Sequence, residues 1–120
     1  MSPTRIKVCC IASEEEARLA VNAGANALGL VSVMPSGPGP IPLDRAAAIR
    51  RSVPPGIAVF LLTSHRELDA ILEEIHTVRP NALQLTNSVD PAIYPELRRD
   101  APFVQRVQVI HVTGEDSPRE

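Results

Sequence analysis

The chain has no excess of positive charge. Twelve Lys and Arg stand against 14 Asp and Glu, a net charge of -2 at pH 7. Nothing there favours nucleic acid or an anionic membrane as a partner. It has only two cysteines, Cys9 and Cys10, and they are adjacent. Adjacent cysteines cannot build a disulfide framework, and no secretory leader is visible, so a reducing cytoplasm is the expected location. No apolar run reaches the roughly 20 residues of a membrane span. Tryptophan is missing, and Phe60, Phe103 and Tyr94 are the only aromatic residues.

What is present is ordinary globular material. At 120 residues and 44% hydrophobic, the chain can form one domain with a real core. Arg5 to Ser13 organises the rest. Ile6, Val8 and Ile11, with the two cysteines, read as a strand buried on both faces. Ser13 followed by Glu16 is a capping box, so that strand runs almost directly into a helix over Glu14 to Ala23, with Gly24 at its end. This puts Cys9 and Cys10 at the strand's C-terminal end, which faces the ligand site in parallel α/β folds.

Further elements follow in order. Ala27 to Val33 reads as a second buried strand. Pro35 to Pro42, with four prolines and two glycines, is a loop. Leu43 to Arg51 is a short Ala-rich helix, stopped by Pro54 and Pro55. Ile57 to Leu62 is a third strand. Ser64 to Glu67 repeats the capping box, and Leu68, Ile71, Leu72 and Ile75 mark the inner stripe of a third helix. Leu83 to Leu85 is a fourth strand. Asp90 and Pro91 start a fourth helix that turns Ile93 and Leu97 inward. Val107 to Val112 is a fifth strand, which makes residues 1–112 the folded part. Residues 113–120 are a polar tail, expected to fray. Strands alternating with helices imply an α/β fold with parallel pairing. Both an open doubly wound sheet and part of a (βα)8 barrel fit that pattern.

Several stretches resemble one family. Lys7-Val8-Cys9-Cys10-Ile11 is similar to the K-x-C-G-I-T opening of the phosphoribosylanthranilate isomerases, (βα)8-barrel enzymes of tryptophan biosynthesis. Glu15-Glu16-Ala17 resembles their E-D-A, and Gly24 to Leu30 their G-A-D-x-x-G-F. Val59-Phe60 resembles their V-F, Leu83-Gln84-Leu85 their V-Q-L-H-G, and Val107 to Ile110 their I-K-A-I. The resemblance implies the first half of a (βα)8 TIM-type barrel, strands one to five. It implies an aldose–ketose isomerase acting on a small sugar phosphate by Amadori rearrangement. Cys9 would be the general base, and Lys7 and Gln84 would contact substrate, with no cofactor and no metal.

The departures are as informative. The family's arginine-bearing S-P-R loop aligns with Gly37-Pro38-Gly39. Its glycine after the catalytic cysteine is Cys10, its His-Gly after the fourth strand is Thr86-Asn87, and its fifth-strand lysine is Gln108. A whole barrel takes about 200 or more residues, and the family's acid and phosphate loops fall beyond the fifth strand. The chain alone is therefore expected to be inactive. Its remaining half belongs to a longer protein or another chain, or else the chain is a non-catalytic half-barrel module for binding or assembly.

Individual side chains allow two readings each. Cys9 acts as a base only as a thiolate, at a lowered pKa to which Lys7 can contribute; otherwise it is a small buried hydrophobe. Cys9 and Cys10 could form a vicinal dithiol, but successive strand side chains point to opposite faces, so the thiols should diverge. The Pro/Gly loop is a lid or a plain connection. His65 and His76 are expected on the outer part of a helix, and His111 at the end of the last strand. Asp44 and Asp90 read as helix-start carboxylates. A half-barrel would bare Ile6, Val8, Leu28, Leu30, Val59 and Leu61, or their alternates, on its inner face, which favours a homo-oligomer.

Overall fold

The computed structural model describes residues 4–34 and 39–112. Five strands alternate with four helices: β1 (Lys7–Val8), α1 (Glu14–Asn22), β2 (Ala27–Val33), α2 (Leu43–Ser52), β3 (Ala58–Thr63), α3 (Leu68–Val78), β4 (Ala82–Leu85), α4 (Ile93–Asp100) and β5 (Gln105–Gln108). Every pairing is parallel, and the spatial order is β1-β2-β3-β4-β5. A doubly wound sheet reverses its strand order at a switch point. This one never reverses, which decides for the barrel-type arrangement. No described helix is long and apolar enough to cross a membrane.

Strand register sorts the sheet into two faces. Leu28 pairs with Val59, and Leu30, Leu61 and Leu83 lie in one row. All five, with Leu85, are fully buried and pack with Ile49, Ile71, Ile75 and Leu97 of the helices. This helix-covered face is the core. The opposite face carries the alternate residues Gly29, Val31, Phe60, Leu62 and Gln84. Of the two sets expected for the inner face, the alternates lie there, since Leu28, Leu30, Val59 and Leu61 point into the helix layer. The open face is also less apolar than expected, because Ala27, Gly29 and Ala82 are small and Val31 and Leu62 are themselves buried.

Exposed apolar side chains do stand at the two sheet edges. β1 spans only two residues and both are exposed, so the expectation of a strand buried on both faces fails. It has one neighbour, β2, and Ile6 is 51% exposed. At the other edge, Val107 and Ile110 are exposed. β5 begins two residues earlier than expected and ends at Gln108.

Two asparagines tie the strand starts together. Asn26 precedes β2, and its Oδ1 accepts from Ile6 N–H at 2.8 Å while its carbonyl accepts from Ala58 N–H at 3.1 Å. Asn81 precedes β4 and does the same one unit later: its Oδ1 accepts from Val59 N–H at 2.8 Å and its carbonyl from Gln105 N–H at 2.9 Å. Each asparagine bonds both neighbouring strands at or next to their first residues. Both open the tripeptide Asn-Ala-Leu.

The helix starts behave unequally. Ser13 Oγ accepts from Glu16 N–H at 3.1 Å, so the expected cap forms, while the Glu16 carboxylate accepts at 2.8 Å from Ala12 N–H, one residue before the cap. The second expected cap does not form. α3 starts at Leu68 with Glu67 at the cap position and no side-chain cap bond, because Ser64 still belongs to the connection after β3. His65 therefore precedes the helix rather than lying on it. Asp90 caps a turn, accepting from Ala92 N–H at 3.0 Å, and α4 proper begins at Ile93. The expected tail over residues 113–120 lies outside the described residues.

Candidate functional site

Cys9 follows directly on β1, at the C-terminal end of the sheet. Its side chain lies over β2. A Cβ placed on Gly29 would meet Cys9 Sγ at 2.7 Å and Cys9 Cα at 3.2 Å. Gly29 is therefore the clearance that lets Cys9 cross its neighbour strand. Both cysteines are exposed, so the reading of Cys9 as a small buried hydrophobe is corrected.

Cys10 turns the chain. Its φ is 60°, the left-handed region, which costs a residue with a Cβ about 1–3 kcal/mol. That conformation breaks strand alternation, so the two side chains are not sent to opposite faces. Cys10 Sγ comes 2.9 Å from where a Cβ on Gly39 would sit, beside Val31. Val31 and Gly29 lie on one face of β2, two residues apart. Partial desolvation, then the charge of Cys9 and a hydrogen bond with it, hold the Cys10 thiol above its ordinary value of 9.0. The expectation that the thiols diverge is corrected.

Lys7 and Gln84 meet across the open face, although 77 residues separate them. Lys7 Nζ donates to Gln84 Oε1 at 2.7 Å and stands 4.6 Å above the centre of the Phe60 ring. Lys7, Cys9, Phe60 and Gln84 thus share one face. Sequence reasoning misses Phe60 as part of this group; its alternation with the buried Val59 and Leu61 is the available signal.

At the rim beyond β3, β4 and β5 several neutral side chains bond neighbouring backbone carbonyls. Thr86 Oγ1 donates to Thr63 O at 3.0 Å, and Asn87 Nδ2 to Ser64 O at 2.9 Å. Gln108 Nε2 donates to Asn87 O at 2.9 Å, and Tyr94 O–H donates to Gln108 Oε1 at 2.6 Å. Gln108 pairs with the buried Leu85 and so lies on the helix side, toward α4. A ring nitrogen of His111 lies 3.0 Å from Thr86 O. His76 is exposed on α3, near the Phe103 ring. Glu74 is buried on α3, with Oε2 3.8 Å from His65 Nε2; its Oε1 has no hydrogen-bond partner among the described residues. Among those residues no three His, Cys, Asp or Glu side chains come together as a metal site.

No protein-family model matches the chain. An N-(5'-phosphoribosyl)anthranilate isomerase of Halobacterium salinarum is 31% identical over 107 residues, covering 87% of this chain and 49% of that protein. The crystal structure of phosphoribosylanthranilate isomerase from Thermotoga maritima has a TM-score of 0.81 at 26% identity, over 98% of this chain and 55% of that one. In sequence and in fold the chain resembles the phosphoribosylanthranilate isomerases, as a short and divergent version of them. A further phosphoribosylanthranilate isomerase structure, in complex with reduced 1-(o-carboxyphenylamino)-1-deoxyribulose 5-phosphate, has the same TM-score of 0.81 at 26% identity, over 98% of this chain and 58% of that one. The chain spans about half the length of the curated relatives it matches.

The isomerase family's glycine after its cysteine has a physical reason here. The position takes a left-handed φ, which glycine adopts freely; this chain places Cys10 there instead. Of the segment aligned with the family's arginine-bearing loop, residues 37 and 38 lie outside the described residues.

Proposed function

We propose that this chain is a phosphoribosylanthranilate isomerase-like half-barrel. Cys9 keeps the place of the general base, and Lys7 and Gln84 form the substrate-facing side. The reaction is the Amadori rearrangement of an aminoaldose phosphate to an aminoketose phosphate. It requires an acid to protonate the ring oxygen and a base to remove the proton from the adjacent carbon. The observation that carries this reading is the exposed Cys9 thiol over Gly29, on the face shared by Lys7 and Gln84. The ammonium of Lys7, fixed by Gln84, offers an anionic sugar phosphate a positive contact. No counterpart of the family's acid is among the candidate residues. Catalysis therefore requires further βα units, from a longer chain or from a second polypeptide. The reading places the chain in the cytoplasm, where both thiols stay reduced.

The second reading is a non-catalytic half-barrel for binding or assembly. Thr86 and Gln108 favour it, since these neutral side chains donate to backbone carbonyls where the resemblance would place a histidine and a lysine. The deciding experiment is complementation of a tryptophan auxotroph lacking the isomerase, with this chain alone and with co-expressed complementary βα units. Growth only on co-expression, lost with Cys9→Ala, supports the isomerase reading. Absence of growth in both cases leaves the module reading in its place.

A further inference from the structure

We propose that Cys9 and Cys10 together form a vicinal dithiol site for a trivalent arsenical, a thiophilic centre that takes two sulfur ligands. Isomerase chemistry needs one thiol at this position, and the second has no part in it.

Three observations carry the proposal. The left-handed turn at Cys10, with φ of 60°, cancels the alternation that separates neighbouring side chains in a strand. Cys9 Sγ rests against Gly29 and Cys10 Sγ against Gly39 beside Val31, so both sulfurs lie over the same face of β2. Both residues are exposed, so a ligand reaches them without opening the core. The elevated Cys10 thiol fits this contact, since Cys9 acts on it through charge and a hydrogen bond.

The chemistry balances without a change of oxidation state. An arsenoxide, R–As=O, reacts with the two S–H groups. Two As–S bonds form, both As–O bonds are lost, and the oxygen leaves with the two thiol protons as water. The first As–S bond makes the second intramolecular. The effective concentration of the second thiol is then in the millimolar range or above, which strengthens capture by roughly a hundredfold or more over a single thiol. Once bridged, Cys9 has no thiolate left to act as a base. That consequence rests on the isomerase reading; the site itself does not.

The test is intact-mass analysis of the reduced full chain treated with phenylarsine oxide, followed by an excess of a monothiol and then of dithiothreitol. The expected result is one arsenical per chain that survives the monothiol and is released by the dithiol. Cys9→Ser and Cys10→Ser, each checked for folding by circular dichroism, are expected to lose the monothiol-resistant adduct. If a variant does not fold, the wild-type release pattern is sufficient by itself. Release of the wild-type adduct by monothiol alone overturns the proposal, as does a folded single-cysteine variant that retains the adduct. Because the readout is binding, failure here leaves the isomerase reading standing, and failure of complementation leaves this site standing.

Discussion

Cys9 occupies the space that a side chain on Gly29 would need. The contact joins the end of the edge strand to the middle of its neighbour, with Sγ 2.7 Å and Cα 3.2 Å from the position of a Cβ. Gly29→Ala must displace Cys9 or bend β2, because the 3.2 Å neighbour is backbone. The expected cost is about 1–3 kcal/mol, as for other overpacked positions. A urea-denaturation midpoint measures it. Unchanged stability together with an unchanged Cys9 alkylation rate would show that the crossing is looser than these distances imply.

Cys10→Gly should stabilise the fold. Glycine adopts a φ of 60° without the steric cost of a Cβ, though it loses more chain entropy on folding. The balance favours glycine by about 1 kcal/mol, read as a rise in melting temperature. In the wild type the raised Cys10 value means that the fold favours the neutral thiol. Its small contribution to stability is present below the unfolded value and is lost as pH rises through the folded one, above 9.0. Iodoacetamide should therefore alkylate Cys10 with a midpoint above 9.0, compared with the same residue in urea.

Asn81→Ala leaves the Val59 N–H without its acceptor at the start of two strands. The loss is expected to be about 1–3 kcal/mol. Asn26→Ala should cost less, since Ile6 N–H sits at an exposed edge and water can replace the side chain. Chemical denaturation of the two variants side by side checks the order.

Glu74→Leu should raise stability. The carboxylate is 3% exposed and leaves Oε1 unpartnered among the described residues. Replacing it with an apolar group of similar size removes a desolvation cost of about 1–3 kcal/mol. A fall in thermal stability would mean that the contact with His65 matters more than the unmet oxygen.

Self-association should follow from the two bare edges. At one edge stand Val8 of β1 and Ile6 just before it, and at the other Val107 of β5 and Ile110 just after it, all exposed. Unpaired parallel edges with apolar flanks recruit further strands. Light scattering after size exclusion at micromolar concentration is expected to give a mass above that of one chain, lowered by Ile6→Lys with Val107→Lys. A monodisperse monomer would count against the open half-barrel.

Local order is readable from the residues alone. The β2 span, the alternation of strands and helices, and the Ser13 cap all depend on neighbours within a few positions, and periodicity reports those directly. The inner stripe of α3 is legible for the same reason. Ser64 misleads because a capping pattern says nothing about where the preceding strand's connection ends. β5 is misplaced because Gln105 and Arg106 look like loop residues until they pair with Ala82 and Leu83.

The βα repeat, the place of Cys9 at a strand end and the family resemblance are thus properties of residue order. Packing settles which face each strand residue takes, that the strands run in unbroken order, and that Lys7 reaches Gln84 77 residues away. It also turns Cys10 back toward Cys9's side of β2. The reason is physical: short-range patterns encode burial and capping, whereas strand order, register and a left-handed turn exist only once distant segments have come together.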